Sequence, residues 1–127
     1  MPTDEKKKIL LAEDDEFLST LLKTRLEREG FVITIVRSGD EVIPTLKLVK
    51  PDLMLLDIIL PGKSGHEILD NLIKAETKIP PFMVLSNLGQ EEDIKRATQF
   101  GAIEYFVKSH TALDDLVKKI AEFLKKS

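Results

Sequence analysis

The chain has 127 residues, a formal net charge of −3, and a composition that is 43% hydrophobic and 32% charged. This length fits one domain with a core of its own, and this apolar content excludes a disordered tail. The acidic balance argues against direct nucleic-acid binding, and the lack of cysteine excludes disulfides, thiol catalysis and thiolate metal sites. No apolar run approaches the roughly 20 residues that span a bilayer, and residues 1–8 are polar, so we expect a soluble cytoplasmic protein.

Short apolar runs alternate with longer stretches of helical periodicity. The runs end at glycine, proline or charged residues, which favours strands buried in a parallel sheet; they cover residues 9–12, 32–36, 53–56, 82–85 and 105–107. Apolar residues at helical spacing predict amphipathic helices after four of the strands. The first stripe consists of Phe17, Leu18, Leu21, Leu22 and Leu26, and the second of Ile68, Leu69, Leu72 and Ile73. A weaker stripe consists of Ile94 and Ala97, and the last of Leu113, Leu116, Val117, Ile120 and Leu124.

Signals for the start of a further helix, before Val49, conflict. Ser38 and Glu41 have the spacing of a capping box. Pro44 would break a helix that began so early, because proline past the first turn removes a hydrogen bond and clashes with the preceding turn. The sequence leaves open whether this helix starts near Pro44 or is kinked there.

Three polar residues at other helix starts and turns have simpler interpretations. Asp15 directly precedes the first helix, so it is expected to be the N-cap or an acid of the first turn. His66 and His110 are expected to be surface or capping residues rather than ligands, since nothing else in the chain resembles a transition-metal site.

The order of the elements is strand then helix, repeated five times. Strict alternation implies right-handed crossovers and a three-layer α/β fold, with a five-stranded parallel sheet between helices on both faces. We expect residues 1–127 to form a single domain whose core runs from about residue 8 to residue 124.

Polar side chains follow four of the five predicted strands. Glu13, Asp14 and Asp15 follow the first, Asp57 the third, Ser86 and Asn87 the fourth, and Lys108 the fifth, whereas the second offers only Arg37 and Ser38. Ligands of such sheets bind outside the carboxyl ends of the strands. Oxygen ligands without cysteine favour a hard cation, Mg²⁺ before Ca²⁺. Together with Lys108, such a cation would attract a phosphoryl group, for which Asp57 is the candidate nucleophile.

The chain resembles the receiver domain of bacterial two-component response regulators. The matching segments are residues 9–15, 51–62, Gly65, Ser86, Gly101-Ala102 and residues 105–108, and the resemblance covers about residues 8 to 124. It implies the flavodoxin-like strand order 2-1-3-4-5.

The resemblance also implies a role for each matching residue. Asp57 is expected to accept a phosphoryl group from a phosphohistidine, and Lys108 to pair with the phosphoryl charge. Ser86 is expected to bond the phosphoryl oxygens and move on activation, while Tyr105, the switch aromatic, turns inward. Mg²⁺ would be held by Glu13, Asp14, Asp57 and the backbone carbonyl of Ile59.

The implied partners are a sensor histidine kinase or a histidine phosphotransfer protein and an unidentified output protein or domain. Phosphorylation adds charge and acceptor oxygens, which bias a two-state partner-binding surface. The domain would be a monomer or a phosphorylation-linked dimer without direct nucleic-acid or membrane binding. It would be a signalling domain limited to self-phosphorylation and slow self-dephosphorylation.

Three other functions are alternatives to a phosphoacceptor signalling domain. A Mg²⁺-dependent aspartyl phosphatase commonly has a second aspartate two residues after the nucleophile, where this chain has Ile59. A flavin module would need a phosphate-binding loop after the first strand, where the acids 13–15 would repel phosphate. A degenerate receiver acting as a phosphorylation-independent docking domain remains an alternative.

Two departures from the family pattern carry expectations of their own. Ser109 stands where the family usually has proline, which leaves open whether the Lys108–Ser109 peptide is cis and how the lysine is directed. Ile59 puts an apolar side chain where a polar one would guide the hydrolytic water. We therefore hypothesise that the phosphoryl group on Asp57 is long-lived.

Overall fold

The computed structural model describes residues 5–126. The five strands are β1 (Lys8–Ala12), β2 (Val32–Val36), β3 (Leu53–Leu56), β4 (Phe82–Ser86) and β5 (Tyr105–Val107). The five helices are α1 (Glu16–Arg28), α2 (Val42–Val49), α3 (Gly65–Lys74), α4 (Glu91–Gln99) and α5 (Leu113–Lys126). Short 3₁₀ turns at Gly39–Glu41 and Lys108–His110 precede α2 and α5.

The strands form one parallel sheet in the order β2-β1-β3-β4-β5, which confirms the predicted flavodoxin-like arrangement. Because side chains alternate along a strand, each face of the sheet receives every second residue. Ile9 and Leu11 of β1 pack with α1 and α5, and Leu10 and Ala12 pack with α2, α3 and α4. The core therefore consists of two apolar layers separated by the sheet.

The helix boundaries answer the questions left open by the sequence. Asp15 caps α1, since its side chain accepts a hydrogen bond from the Leu18 N–H at 3.0 Å. The helix α2 begins at Val42, so Pro44 lies in the first turn, where its missing N–H has no helical partner to lose. The capping box does not form: Ser38 Oγ donates to the Glu41 side chain at 3.2 Å instead of accepting from backbone.

Some residues of the apolar stripes are not buried. Phe17 begins the predicted stripe of α1, yet it is 79% exposed, whereas Leu22 and Leu26 of the same stripe are buried. Ile73 and Ile94 are also exposed. His66 departs from the prediction too: it is half-buried, and its ring stacks on Phe100 with ring centres 6.2 Å apart.

Candidate functional site

Strand register brings the polar residues to one edge of the sheet. Ala12 pairs with Leu56, so the next residues, Glu13 and Asp57, lie side by side, and the Asp57 N–H donates to the Ala12 carbonyl at 3.0 Å. Ser86 ends β4 opposite Val107, which places Lys108 one residue further along β5. Four of the residues predicted at strand ends are therefore neighbours at the carboxyl edge: Glu13, Asp57, Ser86 and Lys108.

Lys108 links the two buried carboxylates of this edge. Its Nζ lies 2.8 Å from Asp57 Oδ2 and 2.8 Å from Glu13 Oε1. The side chains of Glu13 and Asp57 are 0% and 5% exposed. No cis peptide bond occurs in residues 5–126, so the Lys108–Ser109 peptide is trans, and the lysine is directed into the site.

Burial and charge act in opposite directions on the ionisation of this cluster. Burial raises the pKa of Glu13, and the Lys108 ammonium only partly offsets it. Burial by itself would lower the pKa of Lys108, but its contacts with the carboxylates of Asp57 and Glu13 outweigh that effect and raise the pKa. Lys108 is therefore held in its charged form, and the site has an excess of carboxylate.

The acidic residues suit a divalent cation. Glu13, Asp14 and Asp57 each offer a carboxylate oxygen, and these oxygens all lie within 4.8 Å of one another. Glu13 Oε1 is buried and accepts no hydrogen bond of good geometry, although it is close to Lys108 Nζ. Three carboxylates and one ammonium leave two negative charges, and an oxygen-only donor set is the one Mg²⁺ prefers. The residues present therefore fit a magnesium ion.

A backbone connection joins Ser86 to Tyr105. Ser86 is fully buried, and its Oγ accepts a hydrogen bond from the Leu88 N–H at 3.2 Å. The Tyr105 hydroxyl donates a hydrogen bond to the carbonyl of Leu88 at 2.6 Å. Burial raises the pKa of the Tyr105 hydroxyl, which keeps it a donor. Ser86 and Tyr105 therefore contact the two ends of one residue in the loop before α4.

Ile59 contributes its backbone to the site and its side chain to the surface. The Ile59 N–H donates to Asp57 Oδ1 at 3.0 Å, so both Asp57 oxygens have partners. Its side chain is 56% exposed beside the acidic cluster. The expected effect of this apolar side chain on the access of water to Asp57 stays a prediction.

Two glycines shape the segment after Asp57. Gly65 packs so closely that a Cβ would lie 2.9 Å from the Asp57 carbonyl oxygen. Gly39 leaves no room for a Cβ against the Lys63 carbonyl, and its N–H donates to the Pro61 carbonyl at 2.8 Å. Sequence reasoning gave the end of β2 no role and missed Gly39, a glycine three residues after the last residue of that strand.

The comparisons with known proteins agree with this architecture. The family model of the response regulator receiver domain matches residues 9–121. The phosphate regulon transcriptional regulatory protein PhoB of Rhizobium meliloti is 36% identical over 121 residues, which cover 94% of this chain and 53% of the relative. The cell cycle response regulator CtrA of Brucella ovis is 33% identical over 94% of this chain and 51% of its own length. The chain therefore spans about half the length of these relatives.

Solved structures show the same likeness. The BeF₃-activated N-terminal receiver domain of RstA from Klebsiella pneumoniae is 29% identical, with a TM-score of 0.83 over 93% of this chain and 98% of that one. The non-phosphorylated receiver domain of HemR from Leptospira biflexa is 29% identical, with a TM-score of 0.83 over 92% of this chain and 93% of that one. Among residues 5–126, no helix is long and apolar enough to cross a membrane. The strand order, the acidic edge and these matches together establish that the chain belongs to the response regulator receiver domain family.

Proposed function

We propose that Asp57 accepts a phosphoryl group from a histidine kinase or a histidine phosphotransfer protein, and that this step switches a partner-binding surface. The observation that carries the proposal is the placement of the Asp57 carboxylate. It is buried at the carboxyl edge, 2.8 Å from Lys108 Nζ and beside two further acids. A carboxylate in such surroundings has a cation for an incoming phosphoryl group and little water around it.

The chemical step is a transfer between two nucleophiles. A carboxylate oxygen of Asp57 attacks the phosphorus of a phosphohistidine, so an O–P bond forms while the P–N bond breaks. The electrons of the broken bond remain on the imidazole nitrogen, which takes a proton from solvent. Lys108 already contacts Asp57 and would pair with the phosphoryl oxygens, because its raised pKa keeps it cationic.

Glu13, Asp14 and Asp57 are the side chains that would hold Mg²⁺, with the Ile59 carbonyl as a proposed fourth protein ligand. Bound there, the ion would neutralise charge on the phosphoryl oxygens during transfer. The buried carboxylate of Glu13 supports this role, since Lys108 does not fully compensate the cost of its burial.

Ser86 and Tyr105 are the residues through which we expect the phosphoryl group to act on the surface. A phosphoryl oxygen would accept a hydrogen bond from the Ser86 hydroxyl and draw Ser86 Oγ away from the Leu88 N–H, from which it accepts a hydrogen bond. The Leu88 carbonyl also accepts a hydrogen bond from the Tyr105 hydroxyl. A shift of Ser86 would therefore move the loop before α4 and the aromatic ring together. An output partner that prefers one arrangement would then shift the population.

The proposal is tested by intact mass spectrometry after incubation with acetyl phosphate, with Mg²⁺ or with EDTA. We expect one phosphoryl adduct that requires Mg²⁺ and is absent from Asp57→Asn. The matched control is Asp70→Asn, which makes the same change at an exposed carboxylate on α3 and should leave the adduct intact.

Failure to form the adduct in a folded protein would overturn phosphoacceptance. The degenerate receiver, a docking domain that works without phosphorylation, would then be the better description. An adduct that persists in Asp57→Asn would instead place the acceptor at another residue.

A further inference from the structure

A groove lies at the edge of the sheet opposite the acidic site. It is formed by the end of α2, the residues that lead into β3 and β4, and the segment after α3, and its volume is about 410 Å³. Its floor includes the buried residues Leu46, Pro51 and Leu72, and prolines form part of its wall. We call this feature the basal groove.

Three lysines surround the apolar floor. Lys47, Lys50 and Lys78 all line the basal groove and are all exposed. Within the part of the chain that the structure describes, none of them has a carboxylate within ion-pair distance. The rim therefore presents positive charge that the fold leaves uncompensated.

The positive charge continues beyond the basal groove. An adjoining hollow shares Lys50 and is lined by Glu5, Lys6, Lys7, Lys8 and Asp52. Across the two hollows, six lysines face two acids, an excess of four positive charges. The chain as a whole has a net charge of −3, so this end differs in sign from the rest of the molecule.

Lys50 occupies a backbone conformation that lysine rarely adopts. It ends α2 with φ 50° and ψ 64°, and its N–H donates to the Leu46 carbonyl at 3.0 Å. Glycine is the common residue at such a left-handed helix end, because a Cβ strains the backbone there. A lysine at this position supports a role for its side chain rather than for its backbone.

We propose that the basal groove binds an amphipathic helix of a partner protein, one that carries acidic residues beside its apolar face. Apolar side chains at helical spacing would lie on the leucine and proline floor, and the flanking acids would pair with the lysine rim. A nucleic-acid duplex offers phosphates but no side chain for the floor. A membrane surface would require protruding apolar groups, whereas this surface is concave.

The proposed interaction does not depend on the chemistry at Asp57. The basal groove is at the amino ends of the strands, whereas Asp57 follows the carboxyl end of β3. Asp57→Asn should therefore bind the same helix with unchanged affinity, and the two proposals can fail separately.

The test is a titration of the ¹⁵N-labelled chain with a synthetic helix of about 14 residues, with leucines at i, i+3 and i+7 flanked by glutamates. A second peptide replaces the glutamates with lysines. We expect the acidic peptide alone to bind, with amide shifts clustered at Leu46, Lys47 and Lys78. The double variant Lys47→Glu/Lys78→Glu should weaken binding about tenfold or more, given about threefold for each lost ion pair.

Two further variants separate binding from folding. Lys50→Gly should weaken binding about threefold while its thermal midpoint stays level or rises, because glycine relieves the strained backbone. Lys118→Glu reverses an exposed charge on α5, away from the basal groove, and should bind like the wild type. Binding that is insensitive to the rim variants, or equal for both peptides, would overturn the proposal.

Other occupants are distinguished by three parallel titrations. Anionic phosphatidylglycerol vesicles or a short DNA duplex that displaced the acidic peptide would show that the surface recognises membranes or nucleic acid instead. Shifts in the same residues on concentrating the chain alone would assign the basal groove to a second copy. Each of these results would replace the partner helix as the occupant.

Discussion

Replacing Lys108 with methionine should destabilise the fold strongly in the absence of metal. Its Nζ is 2.8 Å from both Glu13 and Asp57, and each pair at that distance has about 6 kcal/mol of Coulomb attraction at an effective dielectric of about 20. Desolvation and the repulsion between the two acids offset much of this attraction. Removing one partner of a buried pair costs about 3–5 kcal/mol, so we expect a loss of about that size.

The measurement is urea unfolding followed by circular dichroism at about pH 8 in EDTA, which removes any divalent cation that could replace the lysine charge. At about pH 5 the loss should be smaller, because Glu13, whose pKa burial already raises, can take up a proton. Saturating Mg²⁺ should restore part of the stability, since an ion that binds only the folded state adds free energy to it.

Lys118→Met is the control for this experiment, because Lys118 is exposed and should change stability by less than about 0.5 kcal/mol. If Lys108→Met were no more destabilising than this control at the higher pH, the charge compensation assigned to Lys108 would be refuted.

Three further predictions concern other parts of the site. Burial raises the pKa of Glu13, so the contribution of this residue to stability is complete below its unfolded-state pKa of 4.5 and is lost as pH rises through its folded-state pKa. Without Mg²⁺ at neutral pH, Glu13→Gln should therefore unfold at a higher urea concentration than the wild type. Ile59→Asn should speed the loss of the phosphoryl group from Asp57 in an intact-mass time course, because a polar side chain can position water; Ile73→Asn, also exposed, is the control. Gly39→Ala should lower the free energy of unfolding by about 1–3 kcal/mol, because the added Cβ overlaps the Lys63 carbonyl.

Each of these has a result that would contradict it. A Glu13→Gln variant with the same midpoint as the wild type would mean that Lys108 fully compensates the buried carboxylate. An unchanged lifetime of the phosphoryl group in Ile59→Asn would refute the hypothesis that the isoleucine slows hydrolysis at Asp57. If Gly39→Ala cost no more than Gly89→Ala, whose added Cβ would meet Val107 side-chain atoms at 3.3 Å, the close approach to Lys63 would not matter.

Most of the fold could be predicted because the strands are short and buried. Runs such as residues 53–56 are apolar at every position, and the structure buries all four. Periodicity also located α1 and its buried residues Leu22 and Leu26, but it could not tell that the first residue of the stripe is exposed. Phe17 satisfies the helical spacing and still projects into solvent.

The acidic edge was predictable because polar residues follow four of the five strands and the carboxyl ends of parallel strands meet at one edge of the sheet. The contacts that support it were not, because they depend on distant segments meeting. The packing of Gly39 against Lys63 and the ring of His66 on Phe100 join residues whose spacing in the sequence carries no periodic signal. The lysines of the basal groove likewise come from α2 and from the segment after α3.

Leu88 contributes only main-chain atoms to its two hydrogen bonds, and this determines how the connection would respond to a substitution. Its N–H reaches Ser86 and its carbonyl reaches Tyr105, whatever side chain residue 88 carries. Leu88→Ala would remove the packing of this side chain against the core, yet it would keep both main-chain hydrogen bonds. Proline is the exception, because it has no N–H to offer to Ser86. The side chain of residue 88 thus serves core packing, while its main chain alone serves the connection between Ser86 and Tyr105.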